Sequence, residues 1–227
     1  MFVLGLTGSI GMGKSATARI FGRLGVPVYD ADAAVHGLLG PGGGAVAAVE
    51  AAFPGVVKNG RVDRQALGAR VFGDGAALRR LEAIIHPRLG AERRRFLAAA
   101  ARRRQPLVVL DIPLLFETSG EARMDATAVV SAPHRVQRQR VLRRPGMSEI
   151  KFQDILKQQV PDAVKRRRAD FVISTGLGRR LALNQVRRIV SMLKRCQGRS
   201  WPPRARRGRG ISRPSGGWGY ARNRTRY

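Results

Sequence analysis

The residues most able to do chemistry lie near residue 10, where Gly8-Ser9-Ile10-Gly11-Met12-Gly13-Lys14-Ser15 fits G-x-x-x-x-G-K-[ST] at every required position. Glycines at this spacing let backbone N–H groups turn inward and form a nest for phosphate oxygens. Lys14 can then reach the β- and γ-phosphates of a nucleoside triphosphate, and the Ser15 hydroxyl can bind Mg²⁺. The sequence therefore predicts an ATP site formed by Gly11, Met12, Gly13, Lys14, Ser15 and Ala16.

The elements around this loop favour the same interpretation. Residues 2–6 are apolar and of strand length, and apolar residues recur at helical spacing over residues 14–24. Residues 26–29 form a second short apolar strand. Strand, loop, helix and strand make a parallel crossover unit, in which the positive N-terminal end of the helix points at the bound phosphates.

Three acidic residues follow predicted strands. Asp30 and Asp32 follow the second strand, and Asp111 follows the apolar run 107–110. Ligands of open α/β sheets bind beyond the carboxyl ends of the strands, so these carboxylates should face the γ-phosphate. Either Asp30 or Asp32 could deprotonate an acceptor hydroxyl while the other supports the metal through water, and Asp111 is a candidate metal ligand. The alternatives are that Asp32 caps a helix beginning near Ala33, and that Asp111 bonds to neighbouring backbone.

Arginine side chains crowd one predicted helix and its end, at positions 138, 140, 143 and 144. Phosphoryl transfer spreads negative charge over the moving oxygens, and arginine stabilises that charge. This helix, residues 135–143, is joined through Pro145-Gly146 to a second one, residues 148–160. Such a pair could close over ATP as a lid. A solvated basic face is the competing interpretation of any one of these arginines.

The remaining pattern predicts the fold class. Apolar, strand-like runs alternate with helical stretches, which is typical of a doubly wound α/β protein with a parallel sheet. The predicted strands occupy residues 107–112, 126–131 and 171–173, and the predicted helices occupy residues 46–53, 64–72, 76–85, 87–104 and 181–195.

Composition limits the partners. The 227 residues carry a net charge of +28, of which nine units belong to the Arg- and Gly-rich stretch 198–227, leaving +19 for residues 1–197. This balance fits polyanionic ligands. A single cysteine, Cys196, rules out an internal disulfide, and no apolar run is long enough to cross a membrane. We expect a cytoplasmic monomer without a membrane partner. The stretch 198–227 is predicted to be a disordered tail, either a solvated appendage or a loose nucleic-acid binder.

Five segments, taken in order, resemble the dephospho-CoA kinase family over about residues 1–195. The phosphate-binding loop alone is shared with many enzymes, whereas the ordered set is specific. The matching segments are Leu6 to Ser15, Val28-Tyr29-Asp30-Ala31-Asp32, Ile84-Ile85-His86-Pro87, Asp111-Ile112-Pro113-Leu114-Leu115-Phe116-Glu117 and Ala169-Asp170-Phe171-Val172-Ile173. One departure follows the last segment: Ser174-Thr175-Gly176 stands where the family usually has Asp or Asn before a Gly.

The resemblance implies transfer of the γ-phosphate of ATP to the 3′-hydroxyl of dephospho-CoA, which gives coenzyme A and ADP. It makes Asp32 the general base, with Lys14 and Arg140 as catalytic partners. Arg140 and Arg144 would contact the ATP phosphates, and Arg64 and His86 would help to hold the acceptor. The implied fold has a nucleotide-binding core within residues 1–197, a helical CoA-binding insertion at about 46–104 and a lid at about 118–148.

Two other functions stay open on the sequence alone. Another small-molecule or nucleoside kinase would share every argument from the phosphate-binding loop and differ only in its acceptor pocket. A nucleic-acid-binding P-loop protein would use the Arg-rich stretch and the basic helices. The lack of a GTPase specificity motif such as Asn-Lys-x-Asp argues against this last class.

Overall fold

The computed structural model of the protein describes residues 1–202, which form a central parallel sheet, a two-stranded hairpin and nine α-helices. The strands are β1 (Phe2–Thr7), β2 (Val28–Asp30), β3 (Val57–Lys58), β4 (Arg61–Val62), β5 (Leu107–Asp111), β6 (Ala126–Ser131) and β7 (Phe171–Ser174). The helices are α1 (Lys14–Arg23), α2 (Ala31–Leu39), α3 (Val46–Ala52), α4 (Arg64–Val71), α5 (Gly75–Arg102), α6 (His134–Leu142), α7 (Glu149–Lys157), α8 (Asp162–Arg168) and α9 (Arg179–Leu193).

The central sheet has the strand order β2-β5-β1-β6-β7, and all its pairings are parallel. β1 and β5 are buried along their whole length, as expected of strands covered on both faces. Leu6 of β1 and Asp30 of β2 are both aligned with Asp111 of β5. The C-terminal ends of these three strands therefore lie side by side, and ligands of open parallel sheets bind beyond these ends. The predicted α/β class and parallel sheet are confirmed.

Helices cover both faces of the sheet. On one face α1 and α9 pack around Phe21, Val186 and Val190. On the other face the C-terminal half of α5 contributes Leu97 and Ala100, which pack against the buried side chains of β1 and β5. Burial of one such large apolar side chain contributes about 1.5–3 kcal/mol. The phosphate-binding loop thus follows a strand that is buried along its whole length.

Helix α5 contradicts the prediction of two helices, at 76–85 and 87–104, because it runs unbroken through Pro87. Proline lacks an N–H and so removes one helical hydrogen bond. The acceptor left without its helical donor is the carbonyl of Ala83, while the neighbouring carbonyl of Ile84 accepts a further hydrogen bond from the guanidinium of Arg88 at 2.7 Å. Ile84, Ile85 and Leu89 pack against the insertion on both sides of the proline, so tertiary contacts hold the helix together.

The predicted helical insertion has a hydrophobic core of its own. Leu38 and Leu39 of α2 pack there with side chains of α3, α4 and the first half of α5. The hairpin β3–β4, with Val62 buried, also belongs to this core and was not predicted because its strands have two residues each. This helical unit therefore begins within α2, before residue 46, and shares α5 with the sheet.

Two features refine the predicted lid. The range 118–148 includes β6, which pairs with β1 and β7 in the central sheet, so the part of the predicted lid that follows the sheet strand is the helical segment after Ser131. The predicted helix 148–160 is shorter in the structure and ends at Lys157. It is followed by α8, which sequence periodicity did not predict.

The stretch predicted as a disordered tail begins with residues that pack against the body. The carboxylate of Asp125 accepts hydrogen bonds from the N–H groups of Arg199 (2.6 Å), Ser200 (2.8 Å) and Val3 (2.7 Å). Trp201 packs beside Met1 and the cluster under α5. The rest of the predicted tail, residues 203–227, lies outside the described residues.

Asp74 caps α5 and provides a test of the fold. Its carboxylate accepts hydrogen bonds from the N–H groups of Ala76 (2.8 Å) and Ala77 (3.0 Å), and these bonds hold its pKa below the ordinary 3.8. We expect Asp74→Ala to lower the thermal unfolding midpoint by about 2–4 °C at neutral pH. Glu82→Ala, an exposed change on the same helix, should shift it by less than about 1 °C.

The sign of the pH dependence follows from the lowered pKa of Asp74. Well above pH 3.8 this carboxyl is deprotonated in both the folded and the unfolded state, so the full stabilisation is present. As the pH falls through the lowered pKa, the folded state must also protonate Asp74 and the stabilisation is lost. Unfolding curves of Asp74→Ala and the parent should therefore converge in acid, and a gap that persists there would contradict the assignment.

Candidate active site

The phosphate-binding loop joins β1 to α1 and has the backbone that its glycines allow. Gly11 and Gly13 adopt positive φ angles of 76° and 92°, which side chains with a Cβ rarely adopt. Gly13 directly precedes the first residue of α1, so the free N–H groups of that helix end face the loop. Ser15 and Ala16 are exposed in the first turn. The loop therefore has the backbone geometry that the predicted anion nest requires.

Lys14 links the loop to β5. Its Nζ lies 2.6 Å from Oδ1 of Asp111, whose side chain is 1 % exposed. The ion pair places the lysine ammonium at the edge where β1, β2 and β5 end. Thr7 adds a second link, because its hydroxyl donates to the carbonyl of Pro113 at 2.9 Å. The predicted phosphate-binding lysine and the predicted metal-facing acid are thus in direct contact.

Asp30 and Asp32 have different surroundings at the end of β2. Oδ1 of Asp30 accepts a hydrogen bond from the N–H of Ala33 at 3.0 Å, so Asp30 is the N-cap of α2. The alternative in which Asp32 caps a helix beginning near Ala33 is therefore wrong, because the helix begins two residues earlier, at Ala31. Asp32 lies exposed in the first helical turn. Its carboxylate is available to a ligand, whereas that of Asp30 is engaged with the backbone.

Asp111 is buried beside Lys14 and lies close enough to Asp30 and Asp32 to be affected by their charges. Burial raises the pKa of Asp111 above its ordinary range; the neighbouring Lys14 opposes this rise, and the negative charges of Asp30 and Asp32 add to it. Among residues 1–202, no group of three or more His, Cys, Asp or Glu side chains is arranged to hold a metal ion by itself. Mg²⁺ typically takes one or two protein ligands and fills its other positions with waters and phosphate oxygens. The Ser15 hydroxyl and the Asp111 carboxylate fit that requirement.

Arg140 of α6 contacts both the phosphate-binding loop and the segment after β7. Its guanidinium donates to the carbonyl of Thr175 at 2.7 Å, to the hydroxyl of Thr175 at 3.0 Å and to the carbonyl of Gly11 at 3.5 Å. The Thr175 hydroxyl in turn donates to the carbonyl of Met12 at 2.6 Å. The segment after β7, where the sequence departs from the family pattern, is thus bonded to the loop. Arg144 lies exposed beyond the end of α6.

The two predicted acceptor ligands are placed differently. Arg64, at the start of α4, lies with Nη1 2.8 Å from Nε2 of His36. His36 is one helical turn after Asp32 on α2, so Arg64 is attached to the helix that carries the candidate base. His86 is exposed in the middle of α5, and the structure does not bring it into contact with Arg64.

Sequence reasoning missed His36 and the contact that Thr175 makes with the loop. His36 could have been found by its spacing, since positions i and i+4 of a helix share a face. Thr175 is 160 residues or more from the loop it contacts, and a hydroxyl in a Thr-Gly pair carries no signal of that contact. Only the pairing of β6 with β7 brings it there.

The model of the dephospho-CoA kinase family matches residues 2–177 of the chain. The chain belongs to this family. The match includes every candidate site residue described above. The resemblance inferred from five short segments is therefore confirmed.

Relatives agree with this assignment. The dephospho-CoA kinase of Paramagnetospirillum magneticum is 64% identical over 166 residues, which are 73% of this chain and 78% of the relative. That of Mesorhizobium japonicum is 58% identical over 194 residues, 86% of this chain and 98% of the relative.

Solved structures show the same fold. A Thermus thermophilus protein superposes with a TM-score of 0.73 at 35% identity, covering 84% of this chain and 96% of its own. The dephospho-CoA kinase of Campylobacter jejuni superposes with a TM-score of 0.59 at 22% identity, with the same coverage of 84% and 96%. In the part of the chain that the structure describes, no helix has both the length and the apolar character required to cross a bilayer.

Proposed function

We propose that the chain transfers the γ-phosphoryl group of ATP to the 3′-hydroxyl of dephospho-CoA, the last step of coenzyme A synthesis. The observation that carries the proposal is the position of Asp32. It is an exposed carboxylate at the strand edge that also holds the phosphate-binding loop, and membership of the dephospho-CoA kinase family supplies the acceptor.

Each residue has one task in the proposed reaction. The backbone N–H groups of residues 11–16 bind the phosphates of ATP, and Lys14 balances charge on the β- and γ-oxygens. Asp32 accepts the proton of the ribose 3′-hydroxyl while that oxygen forms its bond to the γ-phosphorus. The bond to the β–γ bridging oxygen breaks at the same centre, and ADP leaves. Arg140 and Arg144 stabilise the charge spread over the transferred group.

The metal ligands in this proposal are Ser15 and Asp111, with Asp30 near enough to add negative charge. When bound, Mg²⁺ would offset the charge on the β- and γ-phosphate oxygens. The Lys14 ammonium pairs with the buried Asp111 carboxylate and neutralises its charge.

Acceptor binding falls to the helical insertion. Arg64 presents a guanidinium beside α2, and the phosphate groups of dephospho-CoA are suitable partners for it. His86 is the second proposed acceptor ligand, reached when the insertion closes toward the loop. Closure of the insertion and of α6–α7 would exclude water, which otherwise competes with the ribose hydroxyl for the γ-phosphate.

The cytoplasmic location and the monomeric state stay predictions.

A substrate panel tests the proposal. We expect rapid, Mg²⁺-dependent ADP release with dephospho-CoA, and at least about a hundredfold smaller kcat/KM with nucleosides and nucleoside monophosphates, since those lack groups for the insertion to bind. A preference for a nucleoside would favour the alternative kinase. ATP turnover stimulated by RNA or DNA, and not by dephospho-CoA, would favour the nucleic-acid-binding class.

A further inference from the structure

Ile10, in the middle of the phosphate-binding loop, is held by two glutamine side chains. Nε2 of Gln137 donates to the Ile10 carbonyl at 2.8 Å, and the Ile10 N–H donates to Oε1 of Gln159 at 3.1 Å. Gln137 belongs to α6, and Gln159 lies two residues after the end of α7. The two ends of the α6–α7 segment therefore meet on one residue of the loop, directly before the amides that form the anion nest.

The contact with Gln137 is tightly packed. Gln137 is 3 % exposed, one of the few buried polar side chains of the described residues. A Cβ placed on Gly11 would lie 2.5 Å from Cγ2 of Val141 and 3.0 Å from the carbonyl oxygen of Gln137. Helix α6 thus packs directly against the loop. A shift of the first turns of α6 must move Ile10 or break the hydrogen bond between Gln137 and Ile10.

The contact with Gln159 is anchored from behind. The N–H of Val160, the next residue, donates to Oε1 of Glu117 at 2.9 Å. The same oxygen lies 2.8 Å from Nζ of Lys165, a lysine with no exposed side-chain surface. Burial alone would raise the pKa of Glu117, but the bonds from Lys165 and from backbone N–H groups outweigh it and lower that pKa. A charged, paired carboxylate therefore fixes the backbone beside Gln159.

We propose that Gln137 and Gln159 are positioning residues, which set the geometry of the phosphate-binding loop through Ile10 and couple it to the lid segment α6–α7. Neither side chain touches a phosphate in this account. Each one satisfies a backbone group of Ile10, and the amides of residues 11–15 follow the position of that residue. Binding of Mg·ATP and the arrangement of the lid are then linked, so a change at either glutamine alters nucleotide affinity.

The chain contains matched controls for both glutamines. Gln139 is on the same helix as Gln137, and Gln158 adjoins Gln159, but both controls are exposed. Methionine has a similar volume to glutamine and cannot donate or accept comparably, so Gln→Met tests the hydrogen bond at nearly constant packing. Four single variants, at 137, 159, 139 and 158, and the double variant at 137 and 159, form the set.

The first readout is the Kd of Mg·ATP, measured by titration calorimetry in the absence of any acceptor. We expect Gln137→Met and Gln159→Met each to raise this Kd about tenfold, equivalent to about 1.4 kcal/mol, and both controls to stay within about twofold. The double variant should raise Kd by less than the product of the single effects, because both side chains act on one residue.

The second readout does not need ATP. In Gln159→Met the Ile10 amide loses its acceptor, so its hydrogen exchange, followed by NMR, should accelerate by about tenfold or more while amides of β1 and β5 are unchanged. A purely structural role would accelerate exchange across the domain instead.

The proposal rests on the proposed function only for its first readout. If Mg·ATP does not bind at all, the function fails, and Ile10 exchange still decides whether Gln159 positions the loop. If Gln137→Met does not fold, the measurements on Gln159→Met test the proposal, since the side chain of Gln159 is only half-buried. Unchanged Ile10 exchange in Gln159→Met, or Kd values equal to those of Gln139→Met and Gln158→Met, would overturn the proposal.

Discussion

Replacing Asp32 by asparagine is expected to lower kcat for phosphorylation of dephospho-CoA by about 10²–10⁴-fold. A positioned general base contributes an effect of this size, and asparagine keeps the shape of the side chain while losing its ability to accept the proton. The change should leave the Kd of Mg·ATP within about twofold, because the nest of residues 11–16 is intact. Coupled measurement of ADP release gives kcat, and calorimetry gives Kd.

The control for Asp32→Asn is Glu82→Gln, which removes one exposed negative charge from α5 and should leave kcat unchanged within about twofold. Asp30→Ala tests whether Asp30 or Asp32 is the general base. Asp30 caps α2, so its loss should lower the thermal unfolding midpoint and tilt the helix that carries Asp32. If Asp30→Ala abolished turnover while Asp32→Asn retained most of it, the roles assigned to the two carboxylates would be reversed.

Replacing Lys14 by methionine is expected to lower kcat by about 10²–10³-fold and also to weaken Mg·ATP binding. The ammonium is the positive charge of the loop itself, and removal of one such donor from a preorganised site has an effect of this size. This double loss distinguishes Lys14 from Asp32, whose replacement should affect kcat alone. Steady-state kinetics together with calorimetry separate the two patterns.

Lys14→Met has a second consequence, because Asp111 is buried and loses its partner. An unpaired buried carboxylate is strongly destabilising, so the unfolding midpoint should fall and activity must be compared well below it. Asp111→Asn in the Lys14→Met background removes the orphaned charge and should restore stability without restoring kcat. Recovery of turnover in that double variant would show that the loss came from the unpaired charge and not from the missing ammonium.

Much of the fold was predictable because its signals are local. The apolar runs of β1, β5 and β6 are continuous, and the glycine pattern between β1 and α1 fixes both the turn and its ligand. Helix α5 was not predicted as one helix, because the rule that proline ends helices considers only local sequence. The packing of Ile84, Ile85 and Leu89 against distant parts of the chain overrides that rule. The hairpin β3–β4 is too short for periodicity to detect.

The candidate site likewise has residues that local sequence predicts and contacts that it does not. Lys14, Ser15 and Asp32 were predictable from motif and strand-end position. The identity of the helix cap was not, because Asp30 and Asp32 are equally suitable types and only the start of α2 decides between them. The contacts of Gln137, Gln159 and Thr175 with the loop join residues more than 120 positions apart, and a glutamine or threonine at those positions carries no local signal.

The position of the new phosphate tests the central claim most directly. The protein is incubated with Mg·ATP and dephospho-CoA, and the product is examined by ³¹P NMR with coupling to the ribose protons. The account predicts one new phosphomonoester, coupled to the 3′ proton, formed in equal amount to ADP, with an initial rate at least about a hundredfold lower for Asp32→Asn. ADP formed without that phosphomonoester, or an equal initial rate with Asp32→Asn, would contradict it.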